Sequence, residues 1–190
     1  PVFWGVPGQY TSWSFAGLSP LVLADNRVQA EDKASGSRAS VPAIGMFFDT
    51  STLQFNREIP GSVAPGQRID LTTDAGREWF YVTIRDFFSM IPPEKWARVD
   101  GKPIVFLYAA EFAKAVDDKL FADTQRRFRK DFGTEFFLVR EVSWPGPSDA
   151  WYRWGGALSL TIGDGVAGLG PGYDHSAVPG RTPLVVSRQN

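Results

Sequence analysis

The chain alternates between unbroken apolar runs and segments whose apolar residues recur at helical spacing. Runs at 41–48, 104–108 and 136–139 have the length of buried strands, and such runs are typical of parallel sheets covered on both faces. Between them, apolar stripes predict helices over about 74–90 and 113–131. Strand, helix, strand, helix, strand is the order of an α/β fold with parallel strands.

Two further strands are predicted near the end of the chain, at 150–154 and 165–169. The connections here are short, so their helices are expected to be reduced or absent. The last run stops at a Gly-Pro-Gly turn, after which Tyr173, Asp174 and His175 follow. We therefore expect these three residues just past the carboxyl end of a strand, where parallel α/β proteins form their sites.

Acidic residues follow several of the predicted strands. Asp49, Glu141 and Asp174 are the candidate catalytic residues, because paired carboxylates at one rim are the groups that hydrolyse glycosidic bonds. Glu111 is a weaker candidate, since it also fits the first turn of the next helix. Two alternatives stay open: Asp49 fits a turn cap before Thr50, and Glu141 fits a pairing with some other group.

Aromatic and basic residues at the same strand ends are the candidate substrate-binding groups. They are Tyr108, Arg140, Trp144, Trp154, Tyr173 and His175. Aromatic side chains combine a large apolar surface with a polar atom, which suits the stacking of sugar rings. Tyr108 and Trp154 also fit core positions, and Arg140 also fits a structural clamp on an acid.

Composition narrows the classes of chemistry. The chain has 190 residues, 43% of them hydrophobic, so one domain over 1–190 with a packed core is expected. A net charge of −1 means that there is no surplus of positive charge for binding nucleic acid, and no apolar run is long enough to span a membrane. Without cysteine and with a single histidine, no thiol chemistry or multi-histidine metal site is possible within this sequence, and neither metal nor cofactor is expected.

Five segments together resemble a known family: Ile44–Leu53, Thr83–Phe88, Gly101–Tyr108, Tyr152–Gly155 and Gly168–Asp174. They are similar to a bacterial glycoside-hydrolase-like TIM-barrel family, related to the endo-acting α-mannosidases of glycoside hydrolase family 99. The similarity runs from about residue 1 to about residue 188. It is most specific at the Gly-Pro-Gly-Tyr-Asp segment and at the Met-Phe-Phe-Asp strand end.

The resemblance implies a (β/α)8 TIM-barrel fold, a carbohydrate substrate and a secreted or periplasmic location. The family 99 enzymes carry catalytic acids in an Ile-Glu-Pro-Tyr type of motif, and the corresponding place here is Phe48-Asp49-Thr50. Asp49 is the one position carried over. A full barrel takes about 250 residues, so this chain is expected to hold about five of the eight strands, with further barrel segments or another chain as a partner.

Three functional hypotheses follow. The first is a glycosidase whose rim acids converge, at least one of them with a raised pKa. The second is a non-catalytic carbohydrate-binding barrel fragment, in which the acids are held in structural hydrogen bonds. The third is a structural domain whose tryptophans are all buried.

Overall fold

The computed structural model describes residues 2–3, 13–36, 41–54, 68–156, 158–170, 172–177, 179–180 and 182–186. This part of the chain forms a mixed α/β fold of three α-helices and ten strands. In chain order they are β1 (Val2–Phe3), α1 (Trp13–Ser35), β2 (Met46–Phe48), α2 (Asp74–Ser89), β3 (Arg98–Val99), β4 (Lys102–Leu107), α3 (Leu120–Phe132), β5 (Phe137–Glu141), β6 (Ala150–Tyr152), β7 (Thr161–Ile162), β8 (Ala167–Gly168), β9 (Tyr173–Asp174) and β10 (Val185–Val186).

The main sheet consists of five parallel strands in the order β1, β2, β4, β5, β6. The short strand β3 pairs antiparallel with β4 across Asp100-Gly101, a two-residue turn in which both residues have positive φ. The predicted strands at 41–48, 104–108, 136–139 and 150–154 are confirmed, with bounds shifted by a few residues. The sheet confirms the predicted α/β class with parallel strands.

The helices begin and end where local chemistry requires. The amide of Gly76 donates to the Thr73 hydroxyl at 3.1 Å, which confirms Thr73 as the N-cap of α2. Gly133 ends α3 in the left-handed conformation, with φ of 71°. The prediction that α3 begins near 113 is wrong, because Lys114 donates its amide to Ile69 at 2.8 Å and Ala115 bridges to Asp70.

One face of the main sheet is packed against helices, and we call it the sealed face. Met46, Phe48, Val105, Leu107 and Leu138 project from it into the main core, and each is at most 2% exposed. Side chains of α2 and α3 complete this core. Among them are Phe80, Ile84, Phe87, Phe88, Leu120 and Phe128.

The opposite face, which we call the open face, carries the alternate residues of the same strands. A small cluster of Val139, Ala150 and Tyr152 is buried there, and Ile104, Phe106 and Phe137 pack against it while staying half-buried. No described helix packs on this face. No described helix is long and apolar enough to cross a membrane.

The chain beyond β6 departs from the prediction. Instead of a full fifth parallel strand at 165–169, β7 and β8 form an antiparallel ribbon, and the expected parallel pairing with β6 is limited in the described residues to the bridge between Trp151 and Gly165. Gly165 has φ of 73° and Gly163 donates its amide to Val166 at 2.8 Å, so the chain reverses where an extended strand was expected. A second antiparallel ribbon joins β9 and β10.

Candidate functional site

Four residues form a row across the carboxyl ends of the parallel strands. Glu141 and Tyr152 are partners in the β5–β6 register, and the register of β4 with β5 places Tyr108 beside Glu141. The amide of Tyr108 donates to Phe48 at 3.1 Å, so Asp49, the next residue, continues the row from β2. Because alternate residues of a strand share a face, the row belongs to the open face.

Glu141 is the most enclosed acid of this row, with 7% of its surface exposed. Ser143 donates its amide to Glu141 Oε2 at 2.8 Å and its hydroxyl to the same oxygen. The Ser143 hydroxyl oxygen in turn accepts the amide of Ala110 at 2.9 Å, which links β5 to the turn after β4. No described residue donates to Glu141 Oε1. One carboxylate oxygen is therefore fixed by Ser143, and the other has no hydrogen-bond donor among the described residues.

Asp49 is half-buried and begins a short 3-10 turn, Thr50–Gln54. Its Oδ1 accepts the amide of Ser51 at 3.0 Å, so the interpretation that Asp49 caps a turn is confirmed. The Thr50 hydroxyl donates to the Ala109 carbonyl at 2.6 Å and ties this turn to the end of β4. No described residue donates to Asp49 Oδ2, so capping does not use the whole carboxylate.

Tyr152, the fourth member of the row, was not among the residues predicted from the sequence. Its hydroxyl donates to the Leu107 carbonyl at 3.0 Å, reaching across β5 to β4. Burial raises its pKa, and the negative charges of Glu141 and Asp49 raise the pKa further. This coupling agrees with the strand register, which places both acids in the row with Tyr152. The register that pairs Tyr152 with Glu141 depends on the loop between β5 and β6, so no local sequence pattern predicts it.

An aromatic wall adjoins the row. The rings of Tyr108 and Trp154 meet edge to face with centroids 4.7 Å apart, and Phe47 lies 6.3 Å from Tyr108 and 6.2 Å from Trp154. Trp154 is 59% exposed, so the alternative that it is a core residue is wrong. The exposed indole contacts Tyr108, which lies between Asp49 and Glu141 in the row, and offers a surface on which a ring can stack.

Trp144 does not belong to this wall. Its side chain is 1% exposed, its indole nitrogen donates to the Tyr108 carbonyl, and its ring packs between Phe80 and Phe121 in the main core. A ring enclosed in this way cannot stack on a sugar. The prediction that Trp144 binds substrate is therefore wrong, and its physical role is to pack the sealed face.

Arg140 precedes Glu141 on β5, so its side chain leaves the strand on the opposite face. Its guanidinium donates to the Val142 carbonyl at 3.4 Å, and it forms no ion pair with any acid in the described part of the chain. Its Nε is buried without a hydrogen-bond partner there. Arg140 therefore does not reach the open face, where it was expected to bind substrate. The alternative that it forms a structural ion pair with an acid is not found among the described residues.

Tyr173, Asp174 and His175 lie on the β9–β10 ribbon rather than past a strand of the main sheet. Tyr173 and His175 line a cavity together with Trp154, whereas Asp174 projects from the other side of the ribbon and does not line it. Asp174 is exposed, and the amide of Ser176 donates to it at 2.8 Å, which lowers the pKa of its carboxyl. The prediction that Asp174 lies at the rim of the parallel sheet is wrong, and Asp174 is not an acid with a raised pKa.

Glu111 lies in a short 3-10 turn, Ala110–Phe112, and is exposed. Its carbonyl accepts a hydrogen bond from Arg68 at 2.8 Å. The interpretation that Glu111 lies in the first turn of a helix is confirmed for this 3-10 turn, but not for α3, which starts only at Leu120. The described residues contain no group of three or more His, Asp or Glu side chains placed to hold a metal ion.

Comparison with known proteins gives a family but no activity. Residues 1–188 match the family described as a domain of unknown function, DUF5010. The chain belongs to the DUF5010 family. No curated protein and no solved structure matches it. What this DUF5010 chain does must therefore be argued from its own residues.

The site of this DUF5010 chain presents two features to a ligand. Two carboxylates, each with one oxygen held by a backbone amide and one not engaged by a described residue, are groups of the kind that transfer protons. The exposed indole of Trp154 can hold a flat, partly apolar ring against them. Both features are on the open face, and neither depends on the sealed core.

Proposed function

We propose that this chain is a glycoside hydrolase of the TIM-barrel type, in which Glu141 and Asp49 are the carboxylate pair. The observation that carries the proposal is their common row at the strand ends, supported by the effect of both charges on the pKa of Tyr152. Sites at the carboxyl ends of parallel strands are the rule in TIM-barrel enzymes. Five parallel strands are compatible with part of such a barrel.

The two acids divide the work of cleaving a glycosidic bond. In this proposal Asp49 protonates the leaving oxygen through Oδ2, and Glu141 activates water through Oε1 while Ser143 holds Oε2. Two inter-strand steps separate their backbones, which gives a distance of about 10 Å. The carboxyl groups themselves are about 6.5–9.5 Å apart in inverting enzymes and about 5–5.5 Å apart in retaining enzymes. The side chains therefore have to converge from this backbone spacing, and the stereochemistry of the product decides between the two classes.

Trp154 and Tyr108 supply the surface on which a sugar ring stacks. A net charge of −1 matches a neutral carbohydrate better than a nucleic acid. A polysaccharide or oligosaccharide substrate fits the secreted or periplasmic location that the family resemblance implies. Further barrel segments or a second chain as a partner remain part of this proposal.

The test compares two acid variants with one matched control. Glu141→Gln and Asp49→Asn keep the size of each side chain and the oxygens that accept from Ser143 and Ser51. Each is expected to lower hydrolysis of a panel of α- and β-linked gluco- and manno-oligosaccharides about 100- to 10,000-fold, the usual contribution of an acid or base. Asp174→Asn, on the far side of the ribbon, is expected to leave the rate unchanged. Full activity in both acid variants would contradict the proposal.

A second candidate is a carbohydrate-binding domain without catalysis. The observation that favours it is that each acid already accepts a backbone amide inside a turn, at Ser51 and Ser143. In that case the wild-type chain binds the sugars of the panel with no hydrolysis, Trp154→Ala abolishes binding, and Glu141→Gln leaves it nearly unchanged. If hydrolysis is found instead, the anomeric configuration of the product, read by NMR, separates inversion from retention.

A further inference from the structure

A cavity of about 560 Å3 opens beside the candidate site, between the end of β6 and the two ribbons. Trp154, Leu158, Leu169 and Leu184 contribute much of its wall, and Tyr173 and His175 are on its polar side. We propose that this cavity binds an apolar substituent, an alkyl chain or an aryl ring, carried by the glycoside whose sugar lies at the rim. The inference rests on the proposed function and adds the class of substrate to it.

The wall of the cavity favours an apolar ligand over a second sugar. Leu158, Leu169 and Leu184 are all exposed. A sugar ring brings several hydroxyl groups, each of which loses free energy if it leaves water without a new hydrogen bond. An alkyl or aryl group loses nothing in this way and removes apolar surface from water.

The Tyr173 hydroxyl and the His175 imidazole, two polar groups of the cavity, are already paired with each other. His175 Nε2 lies 2.8 Å from the carbonyl of Thr182, which only accepts, so Nε2 carries the hydrogen. In the neutral ring Nδ1 is then an acceptor, and the Tyr173 hydroxyl at 3.1 Å donates to it. The guanidinium of Arg153 stacks on Trp151, with 5.5 Å between its central carbon and the ring centroid. Stacking does not use the N–H groups of Arg153, so the side-chain donors left for a ligand are those of Arg153 and the Trp154 indole.

The cavity shares two aromatic residues with the surroundings of the rim. Trp154 lines it and also meets Tyr108 edge to face, while Tyr152 lines it and stands next to Glu141 in the row. Neither acid of the row lines the cavity. The cavity is therefore a neighbour of the rim, and this adjacency favours a substituent of the same substrate over a separate small molecule.

The experiment measures binding to Glu141→Gln, so that hydrolysis does not consume the ligand. The probes are methyl, phenyl and n-octyl glycosides of glucose and mannose, as both anomers, each below its micelle concentration. By calorimetry, at least one octyl or phenyl glycoside is expected to bind about tenfold or more tightly than its methyl counterpart. Leu169→Ser and Leu184→Ser are expected to reduce that preference at least about threefold.

The matched control is Ile162→Ser, because Ile162 is an exposed apolar residue of the neighbouring ribbon that does not line the cavity. It is expected to keep the full preference. Equal binding of octyl and methyl glycosides, or no binding of any probe, overturns the inference. The inference is also overturned if sedimentation shows that Leu169→Ser changes the oligomeric state while the preference for the octyl or phenyl glycoside stays the same. The cavity is then a contact between protein chains.

The two proposals fail in different ways. If the wild-type chain hydrolyses simple sugars but shows no preference for an apolar substituent, the cavity inference is wrong and the hydrolase stands. If the octyl preference and its loss in Leu169→Ser are found while no glycoside is ever cleaved, the cavity stands and the catalytic proposal is wrong. Comparing the affinities of the phenyl and octyl glycosides then shows whether the cavity prefers an aryl group or an alkyl chain.

Discussion

The two faces of the parallel sheet use the same strands for different purposes. On the sealed face, Phe48, Val105 and Leu107 are 0% exposed and pack against helices. On the open face, Phe47 and Phe106 are only half-buried, although each is the direct neighbour of a fully buried residue. The alternation of a strand is enough to produce this contrast.

The contrast also separates two ways of holding a structure together. The sealed face depends on apolar packing, as in the contacts of Phe48 with Phe80 and Trp79 at 5.3 and 6.3 Å between ring centroids. The rim of the open face depends on hydrogen bonds, such as those of Ser143 with Glu141 and Ala110. Packing supplies stability, and the less covered face has room for a ligand.

The largest expected effect comes from two adjacent phenylalanines of β2. Phe48→Ala removes a fully buried ring and is expected to lower the free energy of unfolding by about 3–5 kcal/mol. Phe47→Ala removes a half-buried ring and is expected to cost roughly 1–2 kcal/mol. Urea unfolding followed by circular dichroism measures both. Equal losses would mean that the two faces are equally covered in solution, which would contradict the assignment of an open face.

Much of the fold follows from patterns that reach only a few residues. The unbroken apolar run of β4, the Thr73 cap and the Gly133 cap are local signals, and each predicts its element correctly. The expected strand at 165–169 is wrong because apolar composition alone does not distinguish a sheet strand from a ribbon. Gly165, with its positive φ, decides that difference.

The candidate site was predictable only in part. Asp49 and Glu141 follow predicted strands, and parallel pairing is enough to place them at one edge. Trp144 and Trp154 look alike in the sequence, yet one is in the core and the other is exposed, because the turn after β5 directs the first toward α2 and α3. Tyr152 required the register between β5 and β6, which is a tertiary property.

A smaller effect tests the hydrogen bonds of the rim. Ser143→Ala removes the hydroxyl that donates to Glu141 and accepts from the amide of Ala110. The loss leaves that amide without its acceptor and Glu141 with one donor fewer, so we expect a cost of about 1–3 kcal/mol in urea unfolding.

Ser159→Ala is the matched control for that change, because Ser159 is exposed and lies outside the main sheet. It is expected to change the free energy of unfolding by less than about 0.5 kcal/mol. If Ser143→Ala is as neutral as the control, the hydrogen bonds of Ser143 do not hold the rim, and the proposed orientation of Glu141 loses its basis.

Two tyrosines, one on each side of the sheet, test the comparison through pH, and at neutral pH their effect on stability does not change. Burial raises the pKa of Tyr81, and the hydrogen bond that its hydroxyl donates to Asp131 raises it further. Burial and the negative charges of Glu141 and Asp49 raise the pKa of Tyr152. An unfolded tyrosine ionises near pH ~10, while both folded side chains keep their proton. The unfolded state then binds fewer protons above that pH. Stability is therefore full below pH ~10 and falls by up to about 1.4 kcal/mol per pH unit for each tyrosine as pH rises further.

Phenolate absorbance, recorded while the fold is intact, separates the two faces. Asp49→Asn combined with Glu141→Gln removes the charges that face Tyr152, so the ionisation of Tyr152 is expected to move to lower pH while that of Tyr81 stays. Asp131→Asn is expected to do the reverse. Tyr152→Phe and Tyr81→Phe identify each signal. If the double variant moves both tyrosines equally, or neither, Asp49 and Glu141 do not face Tyr152 together, and the row on which the proposed acid pair rests is not formed.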